Sequence, residues 1–138
     1  INMVTAMRRT LEQELEANPR VLVLDEPTAE LDPASSYNVF SLLKRYSQEH
    51  GTTVIVVEQK IALLSEFADR LLIVEDGGIR FDGAPAQVLE HADELLEMGV
   101  NCPRSTSLSV ALRRRGLYAG AVCENVSQAT SMVKEVLA

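Results

Sequence analysis

Two uninterrupted aliphatic runs stand out from an otherwise mixed chain, residues 21–24 (VLVL) and 54–57 (VIVV). Short runs rich in Val and Ile predict strands buried on both faces, as in a parallel sheet. They fall far short of the roughly 20 apolar residues that span a bilayer. Between them Val39, Phe40, Leu43 and Tyr46 recur at helical spacing, and His50-Gly51 stops the pattern. Asp32 stands before Pro33, which reads as an N-cap followed by proline at the first helical position. A strand, a helix and a second strand in this order form a βαβ unit. Upstream, Val4, Met7, Leu11 and Leu15 predict an amphipathic helix over residues 4–17, ended by Asn18-Pro19.

Downstream the pattern predicts a helix over 61–68, a strand over 70–75, a DGG turn and a short returning strand that closes a hairpin. A helix is expected from Pro85 to Met98 with Val88, Leu89, Ala92, Leu95 and Leu96 inward. After Gly99 the character changes to a loop, a helix from about Ser105 to Arg115, and a last helix capped by Ser127. The expected class is α/β: a parallel sheet flanked by helices over residues 1–99, with a small helical appendix over 100–138.

Composition narrows the function classes. A length of 138 residues suits one domain, and 46% hydrophobic residues suffice for a core. The net charge of −7 argues against non-specific nucleic-acid binding, so no nucleic-acid partner is expected. Cys102 and Cys123 have no Cys-x-x-Cys spacing and read as reduced thiols of the cytosol. No charged leader followed by an apolar segment opens the chain, and its first residue is Ile, which suggests a fragment or a start lying elsewhere. His50 and His91 read as solvated surface residues, and Asn125-Val126-Ser127 as a chance match to a glycosylation acceptor. The acids Glu90, Asp93, Glu94 and Glu97 read as a solvated face, and Arg113–Arg115 as helix-end charge.

The chemistry concentrates in RVLVLDEPTAELDP, residues 20–33. A parallel strand that ends in acids sets them where open α/β sheets bind ligands. One acid there suits Mg²⁺ and the next suits taking a proton from an attacking water. DEPTAELDP resembles the ATP-binding cassette (ABC) ATPases, in which a Walker B strand ends in Asp-Glu and a D-loop follows. TTVIVVEQ and FADRLLIVEDGGIRFDGAPAQVL are similar to the next strand and hairpin of that family. The resemblance implies a partial P-loop NTPase-like sheet. It assigns Asp25 to Mg²⁺, Glu26 to general base, and Leu31 and Asp32 to the D-loop that reaches across a dimer of nucleotide-binding domains. Gln59 falls where the family has a His that touches the γ-phosphate and the attacking water. An amide still bonds a phosphate oxygen but carries no titrating charge, so weakened hydrolysis is expected, the alternative being a tolerated variant whose amide suffices.

The motif Gly-x-x-x-x-Gly-Lys-Ser/Thr occurs nowhere in the chain, nor does the Leu-Ser-Gly-Gly-Gln signature upstream of residue 20. ATP and Mg²⁺ are therefore expected to need the family's amino-terminal half, and without the strand neighbours of that half an edge or face is expected to be exposed, which invites self-association. Positioning and charge neutralisation dominate phosphoryl transfer, so the chain alone is expected neither to bind ATP tightly nor to hydrolyse it. LLEMGVNCPRSTSLSVALRRRGLYAG and VSQATSMVKEVL look like the tail of energy-coupling factor ATPases, the cobalt- and vitamin-type importers. That resemblance implies a second ATPase subunit, identical or different, an integral membrane coupling subunit, and a place at the cytoplasmic face of the cell membrane. Two other expectations stand beside it: an ABC-class ATPase acting on DNA or ribosomes, disfavoured by the lack of basic stretches and heptads, and a non-catalytic remnant acting as an interaction module.

Overall fold

The computed structural model describes the backbone of residues 3–138, and the side chains of these except at positions 3, 4, 7 and 8. The chain divides into two compact units, Ile1–Gln59 and Lys60–Ala138.

The first unit runs α1 (Met3–Glu16), β1 (Val21–Asp25), α2 (Pro33–His50) and β2 (Thr53–Val57). The strands pair in parallel from Val21↔Thr53 to Asp25↔Val57, the expected βαβ unit. Polar ties fix the end where both strands begin. The Tyr46 hydroxyl donates to Leu15 O at 2.7 Å, and the buried Thr52 hydroxyl donates to Pro19 O at 2.7 Å. Asn18 takes a positive φ of 49° to turn the chain out of α1. The start and stop of α2 are as the residues dictate. The Asp32 carboxylate accepts from Ala34 N and Ser35 N, Pro33 opens the helix, and Gly51 closes it in the left-handed region. Val39, Phe40 and Leu43 are buried, and Tyr46 packs beside them. Of the positions expected on the inner face of α1, Leu11 and Leu15 are buried, while Val4 and Met7 lie outside the described side chains.

The expectation that the strands are buried on both faces does not hold in this chain. One face carries Leu22, Leu24, Val54 and Val56 into the core formed with α1 and α2. On the other, Val21, Val23, Ile55 and Val57 are 54%, 63%, 48% and 56% exposed. The sheet has two strands. Alternation sends every second side chain to the uncovered side. Aliphatic residues there mark a surface suited to burial, since a solvated face ordinarily alternates to polar residues.

The second unit runs α3 (Ile61–Phe67), β3 (Leu71–Glu75), β4 (Gly78–Gly83), α4 (Pro85–Leu89), α5 (Ala92–Glu97), α6 (Arg104–Arg114) and α7 (Val126–Leu137). The hairpin forms as expected, with Asp76 and Gly77 at φ 49° and 78° in the mirror-image turn that suits strand twist. Arg70 forks onto Asp82 across it at 2.7 and 2.6 Å. Ile61, Leu71, Val88, Leu89, Leu95 and Val122 form one core, so the segment after residue 100 shares its packing with the hairpin and α4.

Two expectations are corrected here. The helix over 85–98 is two helices broken at Glu90-His91, and Leu96 is 64% exposed. At the break the Glu90 carboxylate accepts from Val122 N and from Arg113. The His91 ring stacks on Phe81 with centroids 4.5 Å apart. The last helix is capped by Asn125, whose side chain accepts from Gln128 N, rather than by Ser127. The acidic and basic sets are exposed as expected, with Arg113 and Arg114 in the last turn of α6, and they pair across the surface, Glu90 with Arg113 and Asp93 with Arg114.

Candidate functional site

The two strands of the first unit end together, and the site is built on that shared end. Asp25 closes β1 opposite Val57. By alternation its side chain projects from the same uncovered face as Val21 and Val23. The carboxylate is exposed and makes no hydrogen bond among the described residues.

Glu26 carries the ladder one step further, its N–H donating to Val57 O at 2.8 Å. Its φ of 44° is unusual for a residue other than glycine, and all the more so before a proline. A conformation of this kind costs roughly 1–3 kcal/mol and persists where the surroundings enforce it. Here the ladder bond on one side and the buried Pro27 and Thr28 on the other do so. The result aims the Glu26 carboxylate across to the next strand, where the Gln59 side-chain amide donates to it at 2.5 Å. Both groups are exposed, so the pair stands at the mouth of the site.

A second tie runs alongside. Thr28, fully buried, donates its hydroxyl to the half-buried Glu58 carboxylate at 2.5 Å. The other oxygen of Glu58 accepts from Gln59 N at 3.0 Å. Neither Thr28 nor Glu58 was singled out from the sequence. Nothing in the residue pattern pairs positions 30 apart, and the only available signal is that both follow strands that pair in parallel.

The remaining candidates sit at the start of α2. Leu31 is half-buried against the core, and its carbonyl accepts from Ser36 Oγ at 3.5 Å. Asp32 spends both carboxylate oxygens on its own helix: Oδ1 accepts from Ala34 N and Ser35 N at 3.0 Å each, and Oδ2 accepts from Ser35 Oγ at 2.5 Å. The Ser35 hydroxyl and then the Ser35 N–H hold this carboxyl below the usual range. The structure thus joins Glu26 to Gln59, leaves Asp25 open, and commits Asp32 to capping.

Mg²⁺ takes six oxygens and in nucleotide sites accepts only one or two carboxylates, the rest coming from water and phosphate. Among the described residues no three His, Cys, Asp or Glu side chains converge as a self-sufficient metal site. Asp25, with Glu26 beside it, matches the share a protein strand gives to such a site. No helix of the described residues is long and apolar enough to cross a membrane.

Comparison with known proteins gives this geometry a family. No protein-family model matches the chain. A Pyrococcus horikoshii protein whose name places it among ABC transporter ATP-binding proteins is 37% identical over 115 residues, 83% of this chain and 40% of its own length. The energy-coupling factor transporter ATP-binding protein EcfA2 of Clostridium perfringens is 32% identical over 119 residues, 86% of this chain and 42% of its own. Among solved structures, cbiO1 from Clostridium perfringens, described as part of the ABC transporter complex cbiONQ, superposes with a TM-score of 0.62 at 27% identity. It covers 75% of this chain and 41% of its own. The chain therefore spans about 40% of the length of the curated relatives it matches. With an α/β architecture of the P-loop NTPase kind, it belongs to the ABC transporter ATP-binding proteins, energy-coupling factor ATPases among them, and corresponds to their carboxyl-terminal part.

Proposed function

We propose that this chain is the carboxyl-terminal part of the ATP-hydrolysing subunit of an ABC-type importer, and that it acts only within a complete nucleotide-binding domain. The observation that carries this is the shared end of β1 and β2, where Asp25 stands open and the Glu26 carboxylate is met by the Gln59 amide at 2.5 Å. Asp25 would hold Mg²⁺. When bound, the metal neutralises phosphate charge, as this reaction class requires. Glu26 would accept the proton of the attacking water, a role within reach of a carboxylate held by one neutral donor. Gln59 would orient that carboxylate and offer its amide to the phosphate side, without the titrating charge of a histidine. Leu31 and Asp32 would form the segment that meets a second ATPase subunit.

On this account the chain alone neither binds ATP tightly nor hydrolyses it, because no phosphate-cradling Gly-x-x-x-x-Gly-Lys-Ser/Thr sequence is present in it. The bare face of Val21, Val23, Ile55 and Val57 supports the same view, as an apolar surface suited to the remainder of a larger sheet. The energy-coupling factor names among the relatives support uptake of a vitamin or metal ion. The same names favour an integral membrane coupling subunit as partner and a place at the cytoplasmic face of the membrane.

The test joins residues 20–138 in frame to the amino-terminal part of the Clostridium perfringens EcfA2 relative and follows phosphate release. Hydrolysis that falls by about 10²-fold or more in Glu26→Gln, with nucleotide binding retained, is expected. Unchanged turnover in that variant refutes the assignment.

A further inference from the structure

We propose that Glu58 is the positioning residue of this site: through Thr28 and the Gln59 backbone it sets the Gln59 amide on the Glu26 carboxylate. The proposal rests on the functional reading above for its consequence, but not for its geometry.

Glu58 is the first residue after β2, and it bridges two things that must be in register. One oxygen takes the Thr28 hydroxyl at 2.5 Å, and so reaches the turn that follows β1. The other takes Gln59 N at 3.0 Å, and so fixes the backbone from which the Gln59 side chain departs. Thr28 lies between Glu26 and Leu31 in a turn with its own bonds, Ala29 N to Glu26 O at 3.2 Å and Leu31 N to Thr28 O at 3.1 Å. The four residues 26, 28, 58 and 59 therefore close a ring: Glu26 to Gln59 by side chains, Gln59 to Glu58 by backbone N–H, Glu58 to Thr28 by side chains, and Thr28 back to Glu26 along the turn.

The ring accounts for two features. A fully buried hydroxyl needs a partner, and Glu58 is one for Thr28. A long, exposed glutamine side chain otherwise samples many rotamers, and an anchored backbone restricts where its amide reaches. Glu58 bonds to the Thr28 hydroxyl and to the Gln59 backbone. Its effect passes through Gln59.

The experiment is ¹⁵N NMR of the side-chain amides in the 138-residue chain, with the Gln59 resonances identified by their loss in Gln59→Ala and compared with those of exposed Gln48. In the parent chain the Gln59 amide is displaced from Gln48, and Glu26→Ala removes the displacement. Glu58→Ala is expected to bring Gln59 onto Gln48, and Glu58→Gln to retain part of the displacement through its remaining carbonyl. Thr28→Val moves Gln59 in the same direction, while Thr28→Ser keeps it in place, a rescue that a purely structural hydroxyl would not produce at residue 59. If Glu58→Ala does not fold, the Thr28 pair decides. A Gln59 amide unmoved by Glu58→Ala, or moved equally by Thr28→Val and Thr28→Ser, overturns the proposal. Loss of hydrolysis in the joined protein bears on the functional reading alone and leaves these shifts as they are.

Discussion

Replacing Val23 and Ile55 by threonine separates the bare face of β1 and β2 from the covered one. The two residues are cross-strand partners, so the change is confined to one spot of one face. Burying a Val or Ile side chain completely is worth about 1.5–3 kcal/mol. With Val23 63% and Ile55 48% exposed, only a third to a half of that is realised in this chain. Threonine keeps β-branching and one methyl group, which retains strand propensity and part of the contact. The double substitution is therefore expected to destabilise the first unit by about 1 kcal/mol or less. Leu22→Ala, one residue away on the covered face and 7% exposed, is expected to cost about 2–5 kcal/mol. Urea unfolding followed by amide protection at Phe40 and Leu43 reads both, and a fall in concentration-dependent association should accompany the double variant. A double variant as costly as Leu22→Ala would show that the face is covered after all. The same pair placed in a complete domain is expected to cost several-fold more than in the isolated chain.

Gln59→His in the joined protein is expected to raise hydrolysis and to introduce a pH dependence near pH 6.5 that the Gln form lacks, read from phosphate release between pH 5.5 and 8. Asp32 has a carboxyl held below its usual range by Ser35, so its stabilisation of α2 is present above the unfolded value of about 3.9 and is lost as pH falls through the lower folded value. Amide protection in the first turn of α2, taken relative to the intrinsic exchange rate at each pH, should fall on acidification below about pH 4, and Asp32→Asn should remove that dependence. Burial pushes both thiols up, so alkylation at pH 8 should be slow, with Cys123, 3% exposed, slower than the half-buried Cys102; equal rates would contradict the packing. Glu90→Ala should loosen the second unit by about 1 kcal/mol, mostly through the lost acceptor for Val122 N, since the exposed pair with Arg113 is worth little.

What was legible in the sequence was what neighbouring residues decide. The Asp32-Pro33 start and Gly51 stop of α2 follow from local sterics and one side-chain bond, and so does the Asp76-Gly77 turn. The cap of α7 had a signal too: Asn125 stands three residues before Gln128, the spacing of a capping box, although Ser127 nearby is also of a capping type. Residues distant in the chain left no such mark. Glu90 and His91 are acceptable helix residues, and what breaks the helix there is a carboxylate turned to Val122 and Arg113. Thr28 and Glu58 look like any turn Thr and strand-end Glu until parallel pairing brings them together. The strand runs, finally, state what the residues are suited to bury. They do not state what is present to bury them, and Val23 and Ile55 are exposed for that reason. At the site the strand ending in acids pointed to Asp25 and Glu26, and the family resemblance added Leu31, Asp32 and Gln59. Neither gave the bond between Glu26 and Gln59 or the ring that holds it.

On the proposed function these residues form part of a nucleotide machine and not the whole of it. Equilibrium binding of ATP with Mg²⁺ to the isolated 138-residue chain tests it most directly. The expected result is no saturable binding at millimolar ATP. Saturable binding at low-micromolar ATP, abolished by Asp25→Asn, would contradict it.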